Sequence, residues 1–202
     1  MVVRITENKK RFLNLLLLAD EQESMIDRYL ERGEMFVLYK KEIPVAACVI
    51  TDEGDNVCEI KNIAVLPQYQ RQGYGRRLID FLFEHYKKSY RVMLVGTGDT
   101  FSTISFYEHC GFVRSHYLPG FFTDHYDHPI FEEGKQLVDM VYLKKNYDFF
   151  SEYYLLFIPY PKSAKSPRQG SSGKICFIKS VISIAVLMSG VDLWVIPHFF
   201  AI

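Results

Sequence analysis

Two hydrophobic rhythms alternate along residues 1–145, one with a period near two and one with a period near 3.6. "VVRI" predicts a short strand. "KKRFLNLLLLAD" and "QESMIDRYLERG" predict two helices, the second stopped by Gly33. "EMFVLYKKE" and "IPVAACVITDE" predict adjacent strands. In the second, Val45, Ala47 and Val49 alternate with Ala46, Cys48 and Ile50, and both sets are apolar, as in a strand covered on both faces. "GDN" predicts a turn, and "VCEIKNIAVLP" the next strand, stopped by Pro67. Leu78, Ile79, Leu82, Phe83 and Tyr86 then recur at helical spacing and give a helix with one face on a sheet. "RVMLVGT" predicts a buried strand and "FSTISFYEHCG" a short helix closed by Gly111. "FVRSHYLP" and "QLVDMVYLKK" are the last strands, with the loop "GFFTDHYDHPIFEEGK" between them. This order predicts an α/β domain with a mixed sheet of six or seven strands flanked by helices.

The rhythm is lost after Lys145. "NYDFFSEYYLLFIPYP" is aromatic, "KSAKSPRQGSSGK" has the composition of a linker, and the remainder is apolar. We divide the chain into a domain at 1–145 and an extension at 146–202. The longest charge-free run of the extension is Ser180 to Val191, short of the roughly 20 residues that cross a bilayer as a helix. Loosely packed chain is the first reading, with docking on the domain and membrane association as alternatives.

Lys+Arg and Asp+Glu number 24 each in the chain, and residues 1–145 hold 19 bases and 21 acids. That balance removes any whole-chain argument for nucleic acid. Cys48, Cys58, Cys110 and Cys176 form no CxxC pair and suggest neither a zinc site nor a disulfide framework. Scattered thiols suit a reducing cytoplasm. The start, "MVVRITENKK", lacks the basic-then-apolar pattern of a secretory signal.

The stretch with the most chemical content is "QYQRQGYGRRL". Gly73 and Gly75 fall between the strand ending at Pro67 and the helix that follows, among Arg71, Arg76 and Arg77. A helix N-terminus offers unpaired N–H groups and partial positive charge, glycine lets a phosphate approach the backbone, and arginines add charged hydrogen bonds. The simpler alternative is a tight turn with solvated arginines. A dinucleotide fingerprint would need a third glycine where Leu78 stands, and a Walker loop would need Gly-Lys-Ser/Thr.

Gln70-Arg71-Gln72-Gly73-Tyr74-Gly75 resembles the acyl-CoA loop of the GNAT acetyltransferases, Gln/Arg-x-x-Gly-x-Gly/Ala. "IKNIAVLPQYQRQGYGRRLI" is similar to that family's central strand, loop and helix, and "FYEHCGF" to its aromatic-plus-Gly-Phe signature. The similarity spans about 145 residues in segment order. It implies a largely antiparallel sheet whose fourth and fifth strands splay, with acetyl-CoA in the gap as co-substrate. Backbone groups of Ile63, Ala64 and Val65 would pair with the pantetheine arm. The segment Gln70, Arg71, Gln72, Gly73, Tyr74, Gly75 and Arg76 would hold the pyrophosphate, and the Arg71, Arg76 and Arg77 side chains could meet the CoA phosphates.

The reaction so implied is direct attack of a neutral amine on the thioester. Tyr107 takes the family's acid position, four residues before Gly111; the alternative is a buried aromatic beneath the cofactor. Glu59, on the central strand, is the candidate base, and its alternative is an edge carboxylate paired with Lys61. Asp124, Glu132 and a water chain are the next choices. The sequence departs from the family at Thr100, where many members have Asn. There Thr97, Thr100 or Ser102 would cap the following helix, with or without touching CoA.

The loop "FFTDHYDHPIFEEG" sets acids and histidines among aromatics, which suits a cationic amine through charge pairing and cation–π contact; a solvated acidic loop is the alternative. No metal is expected at His125 and His128. The expected function is therefore an N-acetyltransferase for a small-molecule amine. A protein lysine or N-terminal acetyltransferase, or a non-catalytic acyl-CoA-binding module, stands as the alternative, and a homodimer is an allowed assembly.

Overall fold

A computed structural model of the chain describes residues 1–147. The linker, the apolar stretch, Cys176 and the expectations attached to the extension beyond Tyr147 lie outside the described residues.

The strands are β1 (Val2–Ile5), β2 (Glu34–Lys40), β3 (Ile43–Gly54), β4 (Val57–Val65), β5 (Val92–Gly98), β6 (Val113–Leu118), β7 (Phe131–Glu132), β8 (Lys135–Gln136) and β9 (Met140–Asn146). The helices are α1 (Leu13–Leu16, after a 3-10 turn at Lys9–Phe12), α2 (Glu23–Leu30), α3 (Tyr74–Tyr86), α4 (Phe101–His109) and α5 (Phe121–His125). Seven strands form one mixed sheet in the order β1-β2-β3-β4-β5-β9-β6. Among the described residues, only β4 and β5 pair in parallel. β7 and β8 form a separate hairpin.

The two apolar parities of β3 each have a cover. Ala46, Cys48 and Ile50 join Leu78, Ile79, Leu82 and Tyr86 of α3 on one face. Ala47 and Val49 join Leu16, Ile26 and Leu30 on the other. Burying each of these leucines and isoleucines contributes about 2 kcal/mol, so both faces are fixed by the same strand.

The first expected helix is much shorter than "KKRFLNLLLLAD" suggested. Four consecutive leucines cannot all meet one sheet face from a straight helix. The chain turns after Leu16, leaving Leu16 buried and Leu18 about half exposed. Lys9 then crosses to the end of α2, where its ammonium donates to the carbonyls of Leu30, Glu31 and Gly33 at 2.8, 2.9 and 2.8 Å. A cation on carbonyls that a helix leaves unpaired reinforces the stop at Gly33.

One other expectation changes. The segment expected as one loop holds α5 and the β7–β8 hairpin, whose turn residues Glu133 and Gly134 have φ of 53° and 76°. Left-handed backbone at both central residues matches the right-handed twist of a two-residue hairpin. Within the described residues, pairing and packing continue to Tyr147. Tyr147 donates its N–H to the Arg91 carbonyl at 2.9 Å. Its ring stacks on Phe83 with centroids 4.2 Å apart. Cys48, Cys58 and Cys110 are buried and free, and no described helix is long and apolar enough to cross a membrane.

Candidate active site

The parallel pair β4–β5 holds only from Val57–Val92 to Ile60–Val95. Beyond it, β4 continues against β3 to Val65, and β5 continues against β9 to Gly98. The two strands therefore part in mid-sheet. Leu66 donates its N–H to Val45 of β3 at 2.9 Å. Antiparallel pairs alternate, so Ala64 and Asn62 also face β3 with their backbone groups. Ile63 and Val65 turn theirs to the gap. Of the three residues expected to offer backbone to a ligand, Ala64 is the exception, because its N–H and C=O belong to the β3 side. The Val65 carbonyl already accepts from the Gln70 side chain at 3.1 Å.

At the end of β4 a 3-10 turn (Pro67–Tyr69) leads into the glycine loop. Arg71 and Gly73 have φ of 58° and 82°. The first bond of α3 is Arg77 N–H to Gly73 C=O at 2.9 Å. The N–H groups from Arg71 to Arg76 have no backbone acceptor among the described residues. They are donors left over at a helix N-terminus, the kind of group an anion site uses. A Cβ on Gly73 would enter open space, so glycine there serves the left-handed backbone. Gly75 serves close packing instead, since a Cβ would stand 3.1 Å from Cζ of Phe106.

Gln72 braces the loop through its bond to the Gln68 carbonyl at 2.9 Å. Arg76 leans on Asp80 at 3.7 Å, one turn along α3. Lys40, distant in sequence, stands 5.1 Å above the Tyr69 ring and 5.8 Å from that of Tyr74, adding positive charge beside the loop. Sequence reasoning had no local signal for it.

Helix α4 places Tyr107 in the core cluster that holds Ile60 and Val95, the last residues paired before the gap. Burial pushes the phenol's pKa far up, and Cys110 and Glu132 add to the rise. It is therefore protonated throughout the neutral range, and no hydrogen bond from a described residue occupies it.

The expected caps of α4 are replaced. Thr100 makes no side-chain cap and instead donates to Glu132 at 2.9 Å. Thr103 donates to the other oxygen of Glu132 at 2.7 Å. Glu133 accepts from both the N–H (3.2 Å) and the hydroxyl of Ser102. Two carboxylates of the hairpin thus complete the positive end of the helix. The Ser102 bonds hold the Glu133 carboxyl below its usual range.

On the opposite face of the sheet from Tyr107, a cleft of about 410 Å³ lies over the point where the strands part. Glu59, Lys61, Gly96 and Tyr142 line it. Glu59 is 7% exposed; Lys61 donates to it at 2.7 Å and the Tyr142 hydroxyl at 3.2 Å. A register shift in the β3–β4 pairing leaves Lys61 without a partner between Ile60 and Asn62. Such a bulge turns consecutive side chains to one face. Asn62 accordingly reaches the same side, donating to Leu16 C=O and to the Tyr29 hydroxyl, each at 3.0 Å.

Tyr29 passes this chain on to Asp20 at 3.1 Å, and Tyr126, just after α5, donates to the same carboxylate at 3.2 Å. Burial raises the pKa of Asp20, against the bonds from Gln22, Tyr29 and Tyr126 that lower it. Asp20, Tyr29 and Tyr142 were not anticipated. The one available signal was Asn62, an amide inside an otherwise apolar strand, where a buried polar residue is the informative one.

The other base candidates lie elsewhere: Glu132 is held by α4, and Asp124 does not line the cleft. His125 donates to the Phe121 carbonyl at 3.0 Å, while His128 turns to Asp127 and Glu21.

A family model described as an acetyltransferase (GNAT) domain matches residues 31–114. The uncharacterized N-acetyltransferase YvbK of Bacillus subtilis is 36% identical over 139 residues, which is 68% of this chain and 90% of the relative. A GNAT family acetyltransferase of Elizabethkingia anophelis, solved with acetyl-CoA bound, superimposes with a TM-score of 0.69 at 30% identity, covering 72% of this chain and 97% of its own. An acetyltransferase of Bacillus subtilis in complex with CoA gives 0.66 at 33% identity, again over 72% of this chain and 97% of its own. With the parted strands, the donor loop and the aromatic end of α4 all in place, the chain belongs to the GNAT family of acetyltransferases.

Proposed function

We propose that the protein transfers the acetyl group of acetyl-CoA to the primary amine of a small molecule by direct attack. The observation that carries this reading is the parting of β4 and β5 after Ile60 and Val95, with an anion-binding loop at one end and the cleft at its apex.

The residues present fit the co-substrate. The free N–H groups from Arg71 to Arg76 suit a pyrophosphate, and the outward backbone groups of Ile63 and Val65 suit an extended amide-bearing arm. The thioester would then lie between Tyr107 on one face and Glu59 on the other. An alkyl ammonium has a pKa of about 10.4 and must lose a proton before attack. Glu59 takes that proton, directly or through one water. Tyr107 donates its O–H to the departing thiolate. A thiol has a pKa of about 8.5, below that of the buried phenol, so Tyr107 stabilises the thiolate by a hydrogen bond rather than by surrendering its proton. Bringing the two reactants together contributes much of the acceleration.

A small acceptor is supported by the way the loop closes the cleft. Tyr126 reaches Asp20, and the Asp127 N–H donates to Gln22 at 3.0 Å. These bonds tie the loop across to the α1–α2 connection and narrow the cleft on that side. Free buried thiols support a reducing compartment, the cytoplasm.

The test is incubation with acetyl-CoA and a panel of amines and peptides while free CoA thiol is measured. Thiol release with small amines, lowered about a hundredfold by Glu59→Gln, supports the proposal. Release with peptides alone moves the acceptor to proteins. Tight CoA binding with no release for any acceptor makes the protein a binding module.

A further inference from the structure

The charges around the cleft do not all cancel one another. Glu59, Lys61, Glu53 and Arg32 form a closed network: Lys61 meets Glu59 at 2.7 Å and Glu53 at 3.5 Å, and Arg32 meets Glu53 at 2.8 Å. Two charged groups on the cleft wall stand outside it. Asp20 accepts hydrogen bonds from two phenols, which leave its negative charge unbalanced. Arg28, on the exposed side of α2, donates to the Met25 sulfur at 3.3 Å and has no carboxylate within ion-pair distance among the described residues. Both line the cleft.

The two also differ in setting. Asp20 is tied through Tyr29 to Asn62 of β4 and through Tyr126 to the loop. Arg28 is exposed on α2. A neutral or purely cationic amine would leave the guanidinium without a partner, whereas an acceptor carrying its own anion would meet both groups. Carboxylate matches the fork of a guanidinium, and such charged hydrogen bonds are among the stronger ones.

We infer that the acceptor is an amino carboxylic acid, its amine held by Asp20 near Glu59 and its carboxylate by Arg28, which makes Arg28 a specificity-determining residue. This rests on the proposed acetyl transfer and adds the acceptor's second functional group.

The test is a series of ω-aminocarboxylates from glycine upward, each beside its methyl ester and the alkylamine of equal length. Initial rates are measured at saturating acetyl-CoA. For at least one length the free acid is expected to exceed its ester in kcat/KM by about ten- to a hundredfold, mostly through KM. Arg28→Ala should bring the acid down to the level of the ester, Arg28→Lys should restore part of the difference, and CoA affinity should hold in both. Equal use of acid, ester and alkylamine at every length overturns this inference and leaves acetyl transfer standing. So does an Arg28→Ala variant that keeps the preference. Tight CoA binding with no transfer to any acceptor overturns both.

Discussion

Gly75 at the start of α3 lies against the ring of Phe106 in α4, so close that a methyl group on Gly75 would stand 3.1 Å from the ring edge. The two most recognisable blocks of the sequence are therefore in contact, and the helix that carries Tyr107 is seated on the loop that faces the gap.

Replacing Gly75 by Ala should push Phe106 and tilt α4. The expected cost is about 1 kcal/mol in stability, with kcat falling further than CoA affinity. Gly75→Ala combined with Phe106→Leu should regain part of both, giving a measurable coupling in a double-mutant cycle. Additive losses would show that the contact is slack.

Gly73 offers the contrasting case. Its φ of 82° penalises any side chain although the space is open. Gly73→Ala should cost about 1–2 kcal/mol and weaken CoA binding by calorimetry, through backbone strain alone. Unchanged affinity would mean that the loop tolerates another backbone path.

Tyr107→Phe keeps the buried ring and removes a hydroxyl that no described residue uses. Thermal stability and CoA affinity should be unchanged while kcat drops by about 10²–10⁴. A full-rate variant would leave Tyr107 as packing beneath the cofactor.

Asp20 predicts a pH effect with a definite sign. Its folded pKa is raised, chiefly by burial, so the folded state binds the proton more tightly than the unfolded chain does. In the window above the ordinary value of about 3.9, stability falls as pH rises. The charged side chain thus costs stability at neutral pH, and the cost vanishes as pH falls towards that value. Asp20→Asn should lack this component in denaturant titrations across pH, match or exceed the parent in stability at pH 7, and acetylate more slowly. A parallel pH profile for both would show that the cleft is better hydrated than its burial implies.

Tyr147 lies just past the end of β9, yet it is 6% exposed and stacked on Phe83. Tyr147→Ala should destabilise the domain by about 3 kcal/mol in chemical denaturation. A change within a few tenths would place the edge of the domain at Lys145.

Periodicity carried most of the sheet into view. Val45 to Ile50 announced a doubly covered strand, and the Leu78–Tyr86 spacing announced α3; each is a local pattern that burial repeats in space. The glycine loop was equally visible, because its backbone demands are met by few residue types. Glu59, Lys61 and the loop wall of the cleft were singled out too, but the network behind them was not. Asp20, Tyr29 and Asn62 come from three separate elements and are joined only by tertiary hydrogen bonds. The bulge at Lys61 leaves no mark in composition, yet it decides which face Asn62 occupies. Local rules failed where distant side chains intervened, as where Lys9 leaves the first expected helix to reach the end of α2 and where Glu133 stands in for a cap that Thr100 would ordinarily supply.

The grip of Glu132 and Glu133 on α4 has a consequence for how this enzyme could change its diet. The hairpin is bolted to the helix bearing Tyr107, so a wholesale exchange of the segment would loosen that helix as well. A graft meant to redirect the protein to a new amine should keep the Glu-Glu-Gly tip of the hairpin and rewrite the residues on either side of it.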